Sequence, residues 1–157
     1  MTNRISLLLA LPIFLWASFA ATAEEMKVSG TLVYIPVSQQ AAKQPDGSML
    51  LNIAYKGVIR ADAAASPLNL MAHDCRVTVS VSADGQSQTG GGHCTGIDSD
   101  GDAWWLSFMT TAKGSEWTAM GGSGKYEGVT GEGTTTKDTE FPDGRLAEHF
   151  EGTLTLK

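Results

Sequence analysis

From Met26 onward the chain alternates apolar and polar residues in short runs, and each run ends in a turn signal. Val77, Val79 and Val81 are separated by Thr78 and Ser80, and Trp104, Leu106 and Phe108 by Trp105 and Ser107. A period of two sends successive side chains to opposite faces of an extended strand. Asp-Gly pairs at 46–47, 84–85, 100–101 and 143–144 punctuate the runs, and each supplies the positive-φ position of a tight hairpin. The pattern predicts eight strands, over 26–36, 49–60, 70–82, 87–97, 102–111, 115–121, 129–139 and 146–156. Eight short antiparallel strands in one domain close most economically into an all-β, up-and-down barrel, which leaves no free edge. A sandwich is the alternative. No stretch beyond the first 23 residues has helical periodicity.

Turn chemistry then predicts the register. A two-residue turn at Asp84-Gly85 pairs Ala83 with Gln86 and brings Cys75 directly opposite Cys94. A type I turn over Asp98 to Gly101, with Gly101 left-handed as a bulge, places Cys94 opposite Leu106. Trp104, Leu106 and Phe108 then share one apolar face with Cys94, Val77, Val79 and Val81. A turn at Lys113-Gly114 pairs Thr110 with Trp117 and Phe108 with Ala119 on that face. Phe141 to Arg145 repeats the bulged turn. It places Leu146, Phe150, Leu154 and Leu156 inward beside Glu132, Glu148, Thr134 and Thr136, with Lys137, Glu151, Thr153 and Thr155 outside. Gln44 to Ser48 has the same form, but Val37 to Lys43 is polar and small, so no register follows for the first two strands.

The N-terminus changes the compartment. Arg4 precedes an almost wholly apolar stretch from Ile5 to Ala20, and Ala21-Thr22-Ala23 is a small-x-small exit. The expectation is a cleaved signal peptide over 1–23 and one mature domain over 24–157, periplasmic or secreted. A membrane anchor is the alternative, although the apolar stretch is short for a span. Glu24 follows the cut where a lipoprotein would have Cys. The formal net charge is −6, one unit more negative without Arg4, which disfavours nucleic acid and anionic membrane as partners.

Cys75 and Cys94 are the only cysteines, and export places them where disulfides persist. His73 and His93 beside them invite a zinc reading. Strand alternation opposes it, because His73 lies on the face of Cys75 and His93 on the face opposite Cys94. Asp98-Ser99-Asp100-Gly101-Asp102 carries carboxylates at alternate positions, as a calcium loop does, but Ala103 and Met109 stand where that loop needs Gly and Glu. The segment reads as a turn. No metal or cofactor is expected.

The densest signal is Gly121-Gly122-Ser123-Gly124-Lys125-Tyr126-Glu127-Gly128-Val129-Thr130-Gly131. It lacks the strand-to-helix context of a phosphate loop. Its glycines suit sharp bends between strands, with Tyr126 as a packed anchor. At these residues the chain resembles the allene oxide cyclase–dirigent group of lipocalin-like barrels, whose Gly-Gly-(Ser/Thr)-Gly-aromatic-x-Gly signature it follows, with Lys125 inserted before Tyr126. It is also similar to small exported bacterial proteins of unassigned function that carry Gly-Lys-Tyr-x-Gly behind a Cys…Asp-x-Asp-Gly-Asp…Trp stretch. The resemblance implies an eight-stranded barrel and a homo-oligomer, the named families being often trimeric. It carries over no catalytic residue.

Function then depends on the lumen. Trp104, Phe108, Trp117 and Phe150 are the expected ligand contacts, which favours a non-catalytic barrel holding a small apolar or amphipathic molecule. An isomerase or cyclase is the alternative, with Glu132 and Glu148 as candidate acid–base groups. A structural or interaction protein would instead have a filled lumen.

Overall fold

The computed structural model describes residues 23–111 and 114–157. The predicted signal peptide, Ala23 apart, lies outside them, as does Lys113 of the predicted Lys113-Gly114 turn. Eight antiparallel strands close into one barrel in sequence order. They are β1 (Glu24–Lys43), β2 (Met49–Ala61), β3 (Met71–Val81), β4 (Gln88–Ile97), β5 (Ala103–Thr111), β6 (Gly114–Gly122), β7 (Thr130–Glu140) and β8 (Leu146–Leu156). A short 3-10 turn, Gly124–Tyr126, lies between β6 and β7.

All eight predicted strands are present, and β1 is longer than expected. Val37 to Lys43 continues it past a bulge between Pro36 and Ser38, pairing Lys43 with Met49. The polar character of that segment fits its exposure at the barrel rim. Cys75 pairs with Cys94, and Cys94 with Leu106, in the predicted registers. The first of these is reached by a wider loop than a two-residue turn: Ser82 N–H donates to Ser87 O and Gly85 N–H to Ser82 O, so residues 83–86 make the connection. Gly85 still takes positive φ, at 71°.

Two registers differ from expectation. Phe108 pairs with Trp117 and Leu106 with Ala119, two residues from the predicted match, because Gly114 belongs to β6 and pairs with Thr111, where the predicted Lys113-Gly114 turn would have kept it in the connection. A shift of two keeps every side chain on its predicted face. The other shift is by one. A bulge between Lys137 and Thr139 places Thr135 opposite Phe150 and Lys137 opposite Glu148. An extra residue exchanges the two faces of the strand beyond it. Gly131, Gly133, Thr135 and Lys137 therefore share the inner parity, whereas Glu132 and Thr134 are turned outward.

Strand order gives the barrel two unlike ends. The connections β2–β3, β4–β5 and β6–β7 gather at one end with the start of β1 and the end of β8. There the loop before β3 and the 3-10 turn fold across the opening, and Tyr126 donates its hydroxyl proton to Pro67 O at 2.6 Å. Trp104, Tyr126, Ile59, Leu68, Met71 and Leu154 are the largest fully buried side chains. Burying an aliphatic side chain of this kind contributes roughly 1.5–3 kcal/mol, and the core continues from these residues along the wall through Leu32, Leu106, Trp117 and Phe150. At the opposite end, with the connections β1–β2, β3–β4, β5–β6 and β7–β8, no such plug is formed among the described residues.

Candidate functional site: an aromatic lumen open at one end

A cavity of about 710 Å³ occupies the barrel between the plug and the open end. Gln39, Gln86, Gln88, Thr111 and Glu140 ring its mouth, and Trp104, Phe108, Trp117 and Phe150, the four expected contacts, all line it. Leu51, Ile53 and Val79 complete much of the apolar wall.

Glycines explain why so many rings leave space. Tyr34, Gly57, His73, Gly96 and Trp104 are successive cross-strand neighbours around the barrel. A side chain at Gly57 would collide with the Tyr34 ring, and one at Gly96 with the Trp104 indole. Trp117 likewise lies against Gly133 and Gly152, the next two positions in its row. Rings resting on bare backbone lie along the wall instead of crossing the centre. The rings also brace one another: Trp104 meets Trp117 edge-on at 6.0 Å and stacks on His73 at 6.3 Å, while Tyr34 lies 5.8 Å from Tyr55.

The deepest polar pair is Tyr34 and His73. The Tyr34 oxygen and His73 Nδ1 are 2.7 Å apart in a buried hydrogen bond. His73 Nε2 is buried and has no hydrogen-bond partner among the described residues. Burial lowers the imidazole pKa to about 4, so the ring is neutral at ordinary pH. Burial also raises the Tyr34 phenol well above its usual value, with the Glu148 charge adding to the effect. The Cys75–Cys94 disulfide lies beside this pair, with a Cα–Cα distance of 4.1 Å. Donor atoms of His73, Cys75 and Cys94 fall within 4.8 Å of one another. With both sulfurs bonded to each other they offer no thiolate to a metal. His93 is exposed on the outer face, away from this cluster.

The two candidate carboxylates separate. Glu132 pairs with Thr118 and Thr153 on the outer face and is exposed, a consequence of the bulge at Asp138. Glu148 lines the lumen. Desolvation raises its pKa, partly offset by Lys137 and reinforced by Asp138, and among the described residues no hydrogen bond stabilises its charged form. Lys137, expected outside, also lines the cavity, where its ammonium pairs with Glu140 at 2.7 Å. Tyr34, Tyr55 and the inward role of Lys137 escaped the sequence reading. A possible signal for Tyr34 was its parity with Leu32, but Val33 and Ile35 make the outer face of β1 equally apolar.

The glycine motif belongs to the closed end. Gly124 has φ of 58° and no room for a side chain beside Asp102. Lys125, the residue inserted relative to the dirigent pattern, pairs with Asp98 at 2.7 Å and Asp100 at 3.2 Å. Its backbone N–H also donates to Asp102 Oδ2. A lysine thus supplies the cation for the acidic turn. Asp98 Oδ1 accepts the N–H groups of Asp100 and Asp102, as the turn reading requires.

No protein-family model matches the chain, and no curated protein sequence matches it. Solved structures do. The pterocarpan synthase dirigent protein GePTS1 aligns with a TM-score of 0.52 and 9% identity, over 86% of each chain. The pterocarpan synthase dirigent protein PsPTS1 gives 0.54 and 10%, over 85% of this chain and 96% of that one. The chain has the dirigent-type barrel fold. At such identities the likeness concerns the path of the backbone and says nothing of chemistry.

Proposed function

We propose that this protein is an exported binding barrel that holds a small apolar or amphipathic molecule in its lumen without transforming it. The observation that carries the reading is the cavity of about 710 Å³, open at one end and walled by rings held flat on glycines. Ligand sites are characteristically concave, mostly apolar and provided with a few polar groups. The plugged end gives the ligand a single direction of entry. The arginine-led apolar N-terminus and the Cys75–Cys94 disulfide support export.

One observation favours a second reading. Glu148 is a desolvated lumen carboxylate, the kind of group that serves as acid or base in an isomerase or cyclase. Binding and turnover are separable by experiment. N-phenyl-1-naphthylamine should gain fluorescence saturably with the wild-type protein, and Trp117→Ala should weaken its binding by removing the ring at mid-wall. No saturable signal from this probe would sink the binding proposal. Should a substrate emerge, Glu148→Gln abolishing its turnover while sparing its binding would favour the enzyme.

A further inference from the structure

We infer that the lumen selects a cationic amphiphile, a protonated amine on an apolar body, with the Glu148 carboxylate as its counter-ion. This rests on the lumen-binding reading and adds the charge of the ligand. Glu148 reaches the cavity from β8 between β1 and β7, opposite Leu32 and Lys137. It is close enough to Tyr34 and Tyr55 to act on both electrostatically. Its nearest cation, Lys137, is already paired with Glu140. Asp138 adds further negative charge from the bulge. His73, the other basic group among the cavity-lining residues, is neutral. Among the described residues that line the cavity, the fixed charges are thus two carboxylates, Glu140 and Glu148, against one shared ammonium.

Each ligand class meets this wall differently. An anionic amphiphile would bring a third negative charge into a partly desolvated space. A neutral one would bury Glu148 further and leave it without a partner, which is unfavourable. A cation corrects that deficit. Tyr55, Phe108, Trp117 and Phe150 line the same space, and aromatic faces attract ammonium groups. The apolar body would occupy the wall formed by Leu51, Ile53 and Val79.

The test uses three probes of one shape: 2-(aminomethyl)naphthalene, 2-ethylnaphthalene and 2-naphthylacetate. Each would compete with N-phenyl-1-naphthylamine on the full mature protein at about pH 7.5, where the amine is protonated. The amine should bind about tenfold more tightly than the hydrocarbon, and the carboxylate more weakly than either. Glu148→Gln should remove the preference for the amine, weakening amine binding while strengthening hydrocarbon binding, since a neutral ligand then desolvates no carboxylate. Glu132→Gln, on the outer face, should leave the preference intact, which separates the lumen from general attraction to an acidic surface. Hydrocarbon binding without amine preference, or a preference that survives Glu148→Gln, would overturn the inference and leave the binding reading standing. Binding of none of the probes, the reporter included, would overturn both.

Discussion

The Tyr34 hydroxyl and His73 Nδ1 meet at 2.7 Å on the barrel wall, joining β1 to β3 across the intervening Gly57. Only a glycine lets the bond form there, since a side chain at position 57 would occupy the space of the Tyr34 ring. The imidazole is uncharged in this setting and has no ion partner to rescue it if it gains a proton.

Stability should therefore fall in acid through His73. Its pKa is about 4 in the folded protein against 6.5 for a free side chain, so the unfolded chain binds the proton more readily between those values. The stabilisation is complete above about pH 6.5 and is lost as the pH falls towards 4, to a total of roughly 3 kcal/mol. Urea unfolding at several pH values should show this slope in the wild type and a flatter profile in His73→Phe. Parallel profiles would refute the assignment.

The disulfide should matter in proportion to the loop it closes. Cys75 and Cys94 are 19 residues apart on adjacent strands. Replacing both by serine should cost about 3 kcal/mol in the chain-entropy account. Denaturant midpoints of wild type and double variant give the comparison, and equal midpoints would show that the bridge is energetically idle.

How much of this was readable beforehand varies by element. The β3–β4–β5 registers followed from Asp84-Gly85 and Asp98–Gly101, because turn type fixes pairing and the buried apolar face enforces it. Trp104 and Phe108 were legible as inward residues for the same reason; Trp117 kept its face because its register moved by two, and Phe150 because the exchange of faces falls on β7. Glu132 was misplaced because nothing local marks Asp138 as a bulge; Thr134, Thr135 and Thr136 look alike on either face. Tyr34 and Tyr55 were missed because β1 is apolar on both sides and its hairpin register depends on a second bulge, at Val37. The Tyr34–His73 bond, which needs both strands in place, could not be inferred from either alone.

The acidic turn at the closed end should depend on lysine, not calcium. Asp98 and Asp100 hold the Lys125 ammonium, which raises the Lys125 pKa and lowers that of Asp98. Lys125→Met should lower the melting temperature modestly, as expected for a partly exposed pair. Gly101→Val should lower it more, because φ of 86° is strained for a β-branched residue. Millimolar calcium should leave the wild-type melting curve unchanged. A saturable rise with calcium would reverse the account of this turn.

Glu148 should trade stability for the character of the lumen. Burial raises its carboxyl pKa, and a carboxyl with a raised folded-state pKa destabilises the fold once it ionises. The sign is opposite to that of His73: the penalty is full above the raised pKa and disappears as the pH falls through it. Glu148→Gln keeps the shape and removes the charge. At about pH 7.5 the variant should therefore melt at a higher temperature than the wild type, and the difference should vanish in acid, where the native carboxyl is protonated. Glu132→Gln should show no such gain, since that carboxylate is already in water. If Glu148→Gln melts lower at neutral pH, the carboxylate has a stabilising partner after all, and its role as an unpaired counter-ion in the lumen fails.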